Sequence, residues 1–371
     1  MQHYDLITKT GRYLGRLPID QNLLFTSFCC QIIPWVWLHV SCWKTNLFKS
    51  RICNSVDSGL EEGRSVAIYE AALLTNVLVV FKKNFEQVHD DSLRKITEIL
   101  HDVNERFDVK FDLTAREKVR RADFIGRDLV VVLGGDGTLT SISHNIDADT
   151  PVIGVNSHPI DDDPSGSFGF YMDSNVQTFA EDIVTALKGE AIINEVPRLQ
   201  AIIDTTSGNR FTTDPAMNDL LIANTHQYAP SKYHLRRGGK KCRQQSSGIV
   251  FSTWLGQGAW LNHILEKGTM NEMRKRVKKS ETSNHYFVVA REIPHQQRLD
   301  DEWSWFDWTS ENTVITSDMH RGYVVPDGWD EVHFNRGASI TVNLEAPKLC
   351  LLTFRKSIDE KLSALIKDDL V

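Results

Sequence analysis

The sequence predicts an α/β N-terminal domain with a parallel sheet, followed by an all-β C-terminal domain. Three short and nearly all-apolar runs predict strands at 76–81, 128–133 and 151–156. Apolar residues at helical spacing predict helices over 89–104 and 174–188. Buried strands that alternate with helices are typical of a parallel sheet covered on both faces. After Glu190, short apolar runs follow one another with turn signals between them, which indicates many short β-strands.

Length and composition set the domain plan and exclude some classes of protein. The 371 residues suggest two domains at roughly 150 residues each. We predict an N-terminal extension over 1–74, an α/β domain over 75–190, a β-rich domain over 191–350 and a C-terminal strand and helix tail over 351–371. The net charge of −7 provides no general basic field, which argues against nucleic-acid binding.

The N-terminal extension contains an uncharged run, because residues 21–43 include no Lys, Arg, Asp or Glu. The run is long enough to span a bilayer, but Asn22, Gln31, Pro34 and His39 are unfavourable in a lipid-facing helix. A signal peptide is a second interpretation, although the segment before the run is long and mixed in charge. A third interpretation is that this region is not part of the working domain, or even that the start is misassigned. We favour a loosely docked extension over a membrane anchor.

The six cysteines form no C-x-x-C pair, and this pattern favours a reduced protein. We therefore expect a cytoplasmic location, with the mitochondrial matrix as the alternative. The thirteen histidines show no H-E-x-x-H or similar spacing, so we assign no zinc site.

A glycine-rich turn follows the second predicted strand and carries the most informative residues, Gly134 to Thr138. Glycines let backbone N–H groups approach an anion closely, and a helix that begins near Thr138 directs its positive end to the same place. Asp136 lies at the carboxyl end of a parallel strand, where α/β proteins bind ligands. Its carboxylate can hold Mg²⁺ or accept a proton from an attacking hydroxyl. The alternative is a tight structural turn with an Asp cap.

The segment DLVVVLGGDGT, residues 128–138, resembles the first signature of the ATP-dependent NAD kinase family almost letter for letter. Further segments follow in the order of that family: Gly154-Val155-Asn156, Gly169-Phe170-Tyr171, Asn218-Asp219 and Ser252 to Trp260. GGDGT alone is shared with diacylglycerol and sphingosine kinases, whereas the ordered set is more specific. The resemblance covers about residues 75–350, is closer to the divergent mitochondrial-type NAD kinases, and implies an NAD kinase/diacylglycerol kinase-like two-domain architecture.

The resemblance implies a role for each matching residue. Asp136 is implied as the catalytic carboxylate, acting as general base or through Mg²⁺. Phosphates of ATP would lie against Gly134, Gly135, Gly137, Thr138 and Asn156. NAD would be bound by Gly169, Phe170, Tyr171, Asn218, Asp219, Ser252, Thr253, Gly256 and Ala259. For Phe170 and Tyr171 we keep open the alternative that they are ordinary core aromatics.

Three positions depart from the family pattern, because Leu255, Gln257 and Gly258 stand where the common motif has hydroxyl residues. Those hydroxyls would hydrogen-bond a nucleotide, so their loss puts the substrate contacts in question. Asp219 replaces the commoner Glu, which keeps the charge and shortens the reach.

The resemblance implies transfer of the γ-phosphoryl group of ATP to the 2′-hydroxyl of the adenosine ribose of NAD, with Mg²⁺ or another divalent cation, in a homodimer or homotetramer. Two alternatives are a lipid kinase of the diacylglycerol or sphingosine type and a non-catalytic nucleotide sensor of the same fold. The sequence does not separate NAD from NADH as acceptor, or ATP from polyphosphate as donor.

A basic cluster after the Asn218-Asp219 segment predicts a hairpin that turns at Gly238-Gly239. Its members are Lys232, Arg236, Arg237, Lys240, Lys241 and Arg243. The cluster could attract a phosphate, or it could be a solvated edge strand protected by charge.

Overall fold

A computed structural model describes residues 74–83, 87–295 and 305–368, together with the backbone of two N-terminal strands, β1 (His3–Ile7) and β2 (Tyr13–Pro18). The chain divides into two compact units, Met1–Ala67 and Ile68–Val371. In the first unit, β1 and β2 pair antiparallel. The uncharged run at 21–43 lies outside the described residues. Within the residues that are described, no helix is long and apolar enough to cross a membrane.

The second unit begins with an α/β layer built on a seven-stranded sheet. Its strands are β3 (Asn76–Phe81), β4 (Lys110–Ala115), β5 (Leu129–Gly134), β6 (Val152–Asn156), β7 (Ser174–Asn175), β8 (Ile192–Val196) and β21 (Leu349–Thr353). The strand order is β4-β3-β5-β6-β21-β8, with β7 added beside β6. All pairs are parallel except β21 with β8, which are antiparallel.

Helices cover both faces of this sheet, as the all-apolar strands require. They are α1 (Gln87–Phe107), α2 (Arg121–Phe124), α3 (Asp136–Ser143), α4 (Phe179–Leu187) and a C-terminal helix, α7 (Ile358–Lys367). One apolar core lies between the sheet and helices α1 and α4, and the other between the sheet and helices α2, α3 and α7. Strand β5 is buried along its whole length, so its carboxyl end delivers the glycine-rich turn from a fixed position.

The β-rich layer contains two six-stranded antiparallel sheets. The first has the order β10 (Arg210–Thr212), β9 (Gln200–Asp204), β20 (Ser339–Asn343), β17 (Thr313–Ser317), β12 (Ser231–Arg237) and β13 (Lys240–Ser246). The second has the order β16 (Phe306–Thr309), β15 (Tyr286–Ala290), β14 (Ile249–Thr253), β11 (Asp219–Asn224), β18 (Arg321–Pro326) and β19 (Val332–Asn335).

Alternating apolar side chains from both sheets form a shared core, as the pleat of antiparallel strands predicts. The other face of the second sheet is covered by two short helices, α5 (Leu261–Ile264) and α6 (Lys267–Arg274). Strand β11 therefore lies between a core on each side, which fixes the position of Asn218 and Asp219 at its start.

The predicted fold class is confirmed: a parallel α/β sheet precedes antiparallel β-sheets. The basic hairpin also forms, with β12 and β13 joined at Gly238 and Gly239, both with positive φ. The first sheet also contains β8 and β21. Both strands come after Glu190, where the sequence pattern changes to a series of short predicted β-strands. Strand β21 returns the chain to the α/β layer. Helix α7, which follows β21, therefore shares an apolar core with α3, the helix that begins at the glycine-rich turn.

Candidate functional site

The glycine-rich turn connects β5 directly to α3. Gly134 is the last residue of β5, Gly135 precedes the helix in an extended conformation, and α3 begins at Asp136. A Cβ on Gly135 would lie 2.6 Å from Oγ of Ser167, and a Cβ on Gly134 would collide with the side chain of Thr138. Glycine is therefore favoured at both positions, because side chains of the same protein, those of Thr138 and Ser167, approach the backbone closely. The backbone N–H groups of Thr138 and Leu139 donate to the carbonyl of Gly135, so among the first amides of α3 those of Asp136 and Gly137 are the candidates for an anion.

Asp136 is held by the backbone of the segment that follows β6. Its two carboxylate oxygens accept hydrogen bonds from the backbone N–H groups of Phe170, at 2.9 Å, and Tyr171, at 2.8 Å. Burial raises the pKa of Asp136 above its ordinary value, while these two bonds and the ammonium of Lys361 act in the opposite direction. Each oxygen retains a lone pair, so the fixed carboxylate can still accept a proton or ligate a cation.

Asn156 braces the loop over the turn. Its side-chain amide donates to the carbonyl of Ser167 at 3.0 Å, and its carbonyl accepts the backbone N–H of His158 at 3.2 Å. Gly169 has a φ of 71°, and a Cβ there would lie 2.5 Å from the Asn156 amide. These contacts give Asn156 and Gly169 a role in loop geometry, next to the predicted phosphate site.

Tyr171 connects the two layers of the second unit. Its ring is 2% exposed, and its hydroxyl donates to the side-chain carbonyl of Asn218 at 2.7 Å. Burial raises the pKa of Tyr171 well above its usual value, and the charges of Asp327, Asp136 and Asp219 raise it further. The Tyr171 hydroxyl therefore lies within electrostatic reach of all three carboxylates. Phe170 is half-buried, with its ring edge-on to that of Tyr171.

Asp327 is a residue of the site that sequence reasoning missed. Its carboxylate accepts the backbone N–H groups of Met217, Asn218 and Asp219 at 2.7, 2.8 and 3.0 Å. Burial raises the pKa of Asp327 to about 6, although these three bonds lower it. Asp327 has a left-handed φ of 47° and precedes Gly328, so an Asp-Gly turn after β18 was the available signal.

Asp219, whose backbone N–H donates to Asp327, has a strongly perturbed carboxylate of its own. It is 7% exposed and accepts a backbone hydrogen bond from Trp260. Burial raises the pKa of Asp219 to about 7, and the negative charge of Asp327 adds to the rise. Carboxyl groups with a pKa shifted by burial and by a neighbouring charge are enriched at functional sites.

The second glycine-rich segment supports Asn218 from the neighbouring strand. Asp219 pairs with Ser252 across β11 and β14, and Oγ of Ser252 donates to the carbonyl of Asn218 at 3.3 Å. Thr253 donates to the carbonyl of Met217 at 2.6 Å and accepts the N–H of Gly256 at 3.0 Å. A Cβ on Gly256 would collide with the Asn218 carbonyl. Ala259 closes the 3-10 turn by donating its backbone N–H to Gly256.

Two of the three departures from the family pattern are interior residues. Leu255 packs in the apolar core beside α3, with 5% exposure. Gln257 is 1% exposed, donates to the carbonyl of Trp254 and accepts from Arg274 at 2.6 Å. Gly258 is exposed. Leu255 therefore contributes to the apolar core, and Gln257 links the Trp254 carbonyl to the guanidinium of Arg274.

A second acidic group lies beside the site. His144, Asp214 and Asp330 have potential ligand atoms within 4.8 Å of one another, and they line one small depression together with Thr140 and Asp327. Nε2 of His144 lies 3.6 Å from the carboxylate of Asp330. His and Asp are residue types that ligate divalent cations, so these three side chains and Asp136 are the metal-binding candidates among the described residues.

The sequence of the chain is similar to those of NAD and NADH kinases. Residues 60–191 match the model of the ATP-NAD kinase N-terminal domain. The chain is 21% identical over 238 residues to an NAD kinase of Thermoplasma volcanium, covering 64% of this chain and 78% of that protein. It is 29% identical over 150 residues to a probable NADH kinase of Oryza sativa subsp. japonica, covering 36% of this chain and 44% of that protein.

These matches support the predicted resemblance to the NAD kinase family, at low sequence identity.

Solved structures of this family share the fold. An NAD kinase from Archaeoglobus fulgidus in complex with ATP matches with a TM-score of 0.58 and 16% identity, over 79% of this chain and 99% of that one. Yeast NADH kinase complexed with NADH matches with a TM-score of 0.59 and 17% identity, over 79% of this chain and 86% of that one. The two solved structures show the fold of this chain, and the similarity to curated NAD and NADH kinases supports a phosphotransferase.

Proposed function

We propose that this protein is a member of the NAD kinase family and transfers the γ-phosphoryl group of ATP to the 2′-hydroxyl of the adenosine ribose of NAD, which makes NADP and ADP. The observation that carries the proposal is the convergence at Tyr171. Its buried hydroxyl binds Asn218, lies within the electrostatic reach of Asp136 and Asp219, and its backbone N–H fixes Asp136. Asp136 of the glycine-rich turn and Asn218, which are 82 residues apart in the sequence, are thereby linked through Tyr171.

In the proposed reaction, Asp136 accepts the proton of the 2′-hydroxyl as that oxygen forms a bond to the γ-phosphorus. The bond between the γ-phosphorus and the β,γ-bridging oxygen breaks, and ADP leaves with the electron pair. Burial raises the pKa of Asp136, which makes its carboxylate a stronger base than a surface Asp. Phosphoryl transfer depends on positioning more than on covalent help, and the two amide donors position this carboxylate.

In the proposed complex, Asn218 and Asp219 bind the ribose of NAD, and the N-terminus of α3 binds ATP. The carboxylate of Asp219 would accept hydrogen bonds from ribose hydroxyls, and Asn218 would hold the same sugar from its side-chain amide nitrogen. The N-terminus of α3 would lie against ATP phosphates. Asp136 fits Mg²⁺, since this cation prefers carboxylate oxygens together with substrate phosphates. A bound Mg²⁺ would neutralise phosphate charge there.

The buried contacts of Leu255 and Gln257 weaken the alternative of a non-catalytic sensor, which rested on these departures. A lipid kinase gives no reason for Asn218 and Asp219 to lie beside the glycine-rich turn. The homodimer or homotetramer and the cytoplasmic or mitochondrial matrix location stay predictions.

An acceptor panel tests the proposal. Purified full-length protein is incubated with ATP, Mg²⁺ and one acceptor: NAD, NADH, or diacylglycerol in phosphatidylcholine vesicles. We expect phosphorylation of the dinucleotide at the 2′ position and none of the lipid. Transfer to lipid alone, or ATP binding with no transfer to any acceptor, would contradict the proposal.

A further inference from the structure

The C-terminal helix α7 places a partly buried lysine beside the loop that holds Asp136. Lys361 has a side chain that is 19% exposed, and its ammonium nitrogen lies 3.5 Å from Oδ1 of Asp173 and 3.5 Å from the carbonyl oxygen of Gly169. The same nitrogen lies 6.0 Å from the centre of the Phe170 ring. Lys361 thus contacts both ends of the five-residue segment from Gly169 to Asp173.

This segment is the one that fixes the catalytic carboxylate. The N–H groups of Phe170 and Tyr171, in its middle, donate to the two oxygens of Asp136. Lys361 also acts on Asp136 directly, since its positive charge opposes the effect of burial on that carboxylate. The ammonium group of Lys361 therefore holds the segment that carries the Phe170 and Tyr171 N–H donors, and it also offsets the negative charge of Asp136, which accepts their hydrogen bonds.

The far end of the segment has a separate anchor. Asp173 accepts the backbone N–H groups of Phe354, at 2.6 Å, and Arg355, at 3.1 Å. The guanidinium of Arg355 binds both carboxylate oxygens of Asp182 at 2.8 and 3.0 Å. Because Asp173 is fixed in this way from another side, loss of Lys361 should affect mainly the Gly169 end, where the donors to Asp136 lie.

We propose that Lys361 is a positioning residue for phosphoryl transfer, whose ammonium keeps the Phe170 and Tyr171 amides on Asp136. The effect on catalysis rests on the proposed function, whereas the effect on the segment does not. Lys361 acts through the Gly169–Asp173 segment and through charge. NAD binding should depend on it less, because Asp327 fixes Asn218 and Asp219 independently.

The test compares Lys361→Met with Lys361→Arg and with Lys367→Met, an exposed lysine on the same helix. Hydrogen–deuterium exchange of the full-length protein reports on the Phe170 and Tyr171 amides. We expect exchange there to rise at least tenfold in Lys361→Met, to stay within threefold of wild type in Lys361→Arg, and to be unchanged in Lys367→Met. For NADP formation we expect kcat to fall at least tenfold in Lys361→Met, with the KM for NAD within threefold and most of kcat retained in Lys361→Arg.

Unchanged exchange at Phe170 and Tyr171 in Lys361→Met would overturn the proposal. So would equal impairment of Lys361→Met and Lys361→Arg with faster exchange throughout α7, because that pattern means a general packing role. If wild type makes no NADP, the proposed function fails, and the exchange measurement alone then supports or overturns the positioning role.

Discussion

Replacement of Asp219 by Asn should stabilise the protein in a pH-dependent way. The pKa of Asp219 rises from its ordinary 3.8 to about 7 through burial and the charge of Asp327. The folded protein therefore binds this proton more tightly than the unfolded chain does. Stability is lost as the pH rises from about 4 to about 7, because the ionised form is the one that the folded state disfavours. Asn keeps an acceptor for the Trp260 N–H and cannot ionise.

The magnitude follows from the size of the pKa change. One pKa unit corresponds to about 1.4 kcal/mol, so the ionised Asp219 costs about 4 kcal/mol once the pH is well above 7. Part of that cost is already present at pH 5, where the unfolded carboxyl is mostly ionised. Between pH 5 and pH 8 the wild type should therefore lose about 2–3 kcal/mol of unfolding free energy relative to Asp219→Asn.

Urea unfolding followed by tryptophan fluorescence at pH 5, 6.5 and 8 measures this difference. Asp204→Asn is the control, since Arg210 lowers the pKa of Asp204 and its loss should produce no stabilisation at high pH. Parallel stability curves for wild type and Asp219→Asn across this pH range would refute the reasoning. Under the proposed function, the same substitution should also raise the KM for NAD, so stability and binding would move in opposite directions.

Three further predictions concern the contacts around Asn218. Tyr171→Phe removes the 2.7 Å bond to Asn218, so unfolding free energy should fall by about 1 kcal/mol in urea titrations and the KM for NAD should rise several-fold; unchanged values of both would contradict the role of this bond. Gly256→Ala forces a methyl group against the Asn218 carbonyl and should cost about 1–3 kcal/mol, a loss that calorimetry would detect and that an unaltered melting temperature would exclude. Arg274→Met removes the buried donor to Gln257 and should cost about 1–3 kcal/mol by the same measurement, and an unchanged melting temperature would contradict this estimate.

The sequence predicts those parts of the molecule that depend on local pattern. Strand β5, the glycine-rich turn and the start of α3 follow one another in one stretch of chain, so apolar content and glycine spacing were sufficient to identify them. The hairpin that turns at Gly238 was predictable for the same reason, because the turn and both strands are neighbours in sequence.

Long-range partners were not predictable from the same patterns. Asp327 lies 108 to 110 residues from the three amides that it binds, and Lys361 lies 192 residues from the Gly169 carbonyl. No local sequence pattern around Asp327 or Lys361 indicates which distant backbone groups these side chains bind. Strand β21 makes the contact of Lys361 possible, since it returns the chain to the first sheet, and a short apolar run does not reveal which sheet it joins.

The most direct test of the central proposal is the rate of NADP formation by wild type and Asp136→Asn, with ATP, Mg²⁺ and NAD at saturation. Binding of ATP and NAD to both proteins is measured in parallel, so that a folded and competent site is shown. We expect kcat to fall by about 10²–10⁴-fold in the variant while both affinities change little, because Asp136 would accept the proton during transfer. Equal turnover by the two proteins would contradict the assignment of Asp136, and no NADP from a wild type that binds both nucleotides would contradict the proposed reaction.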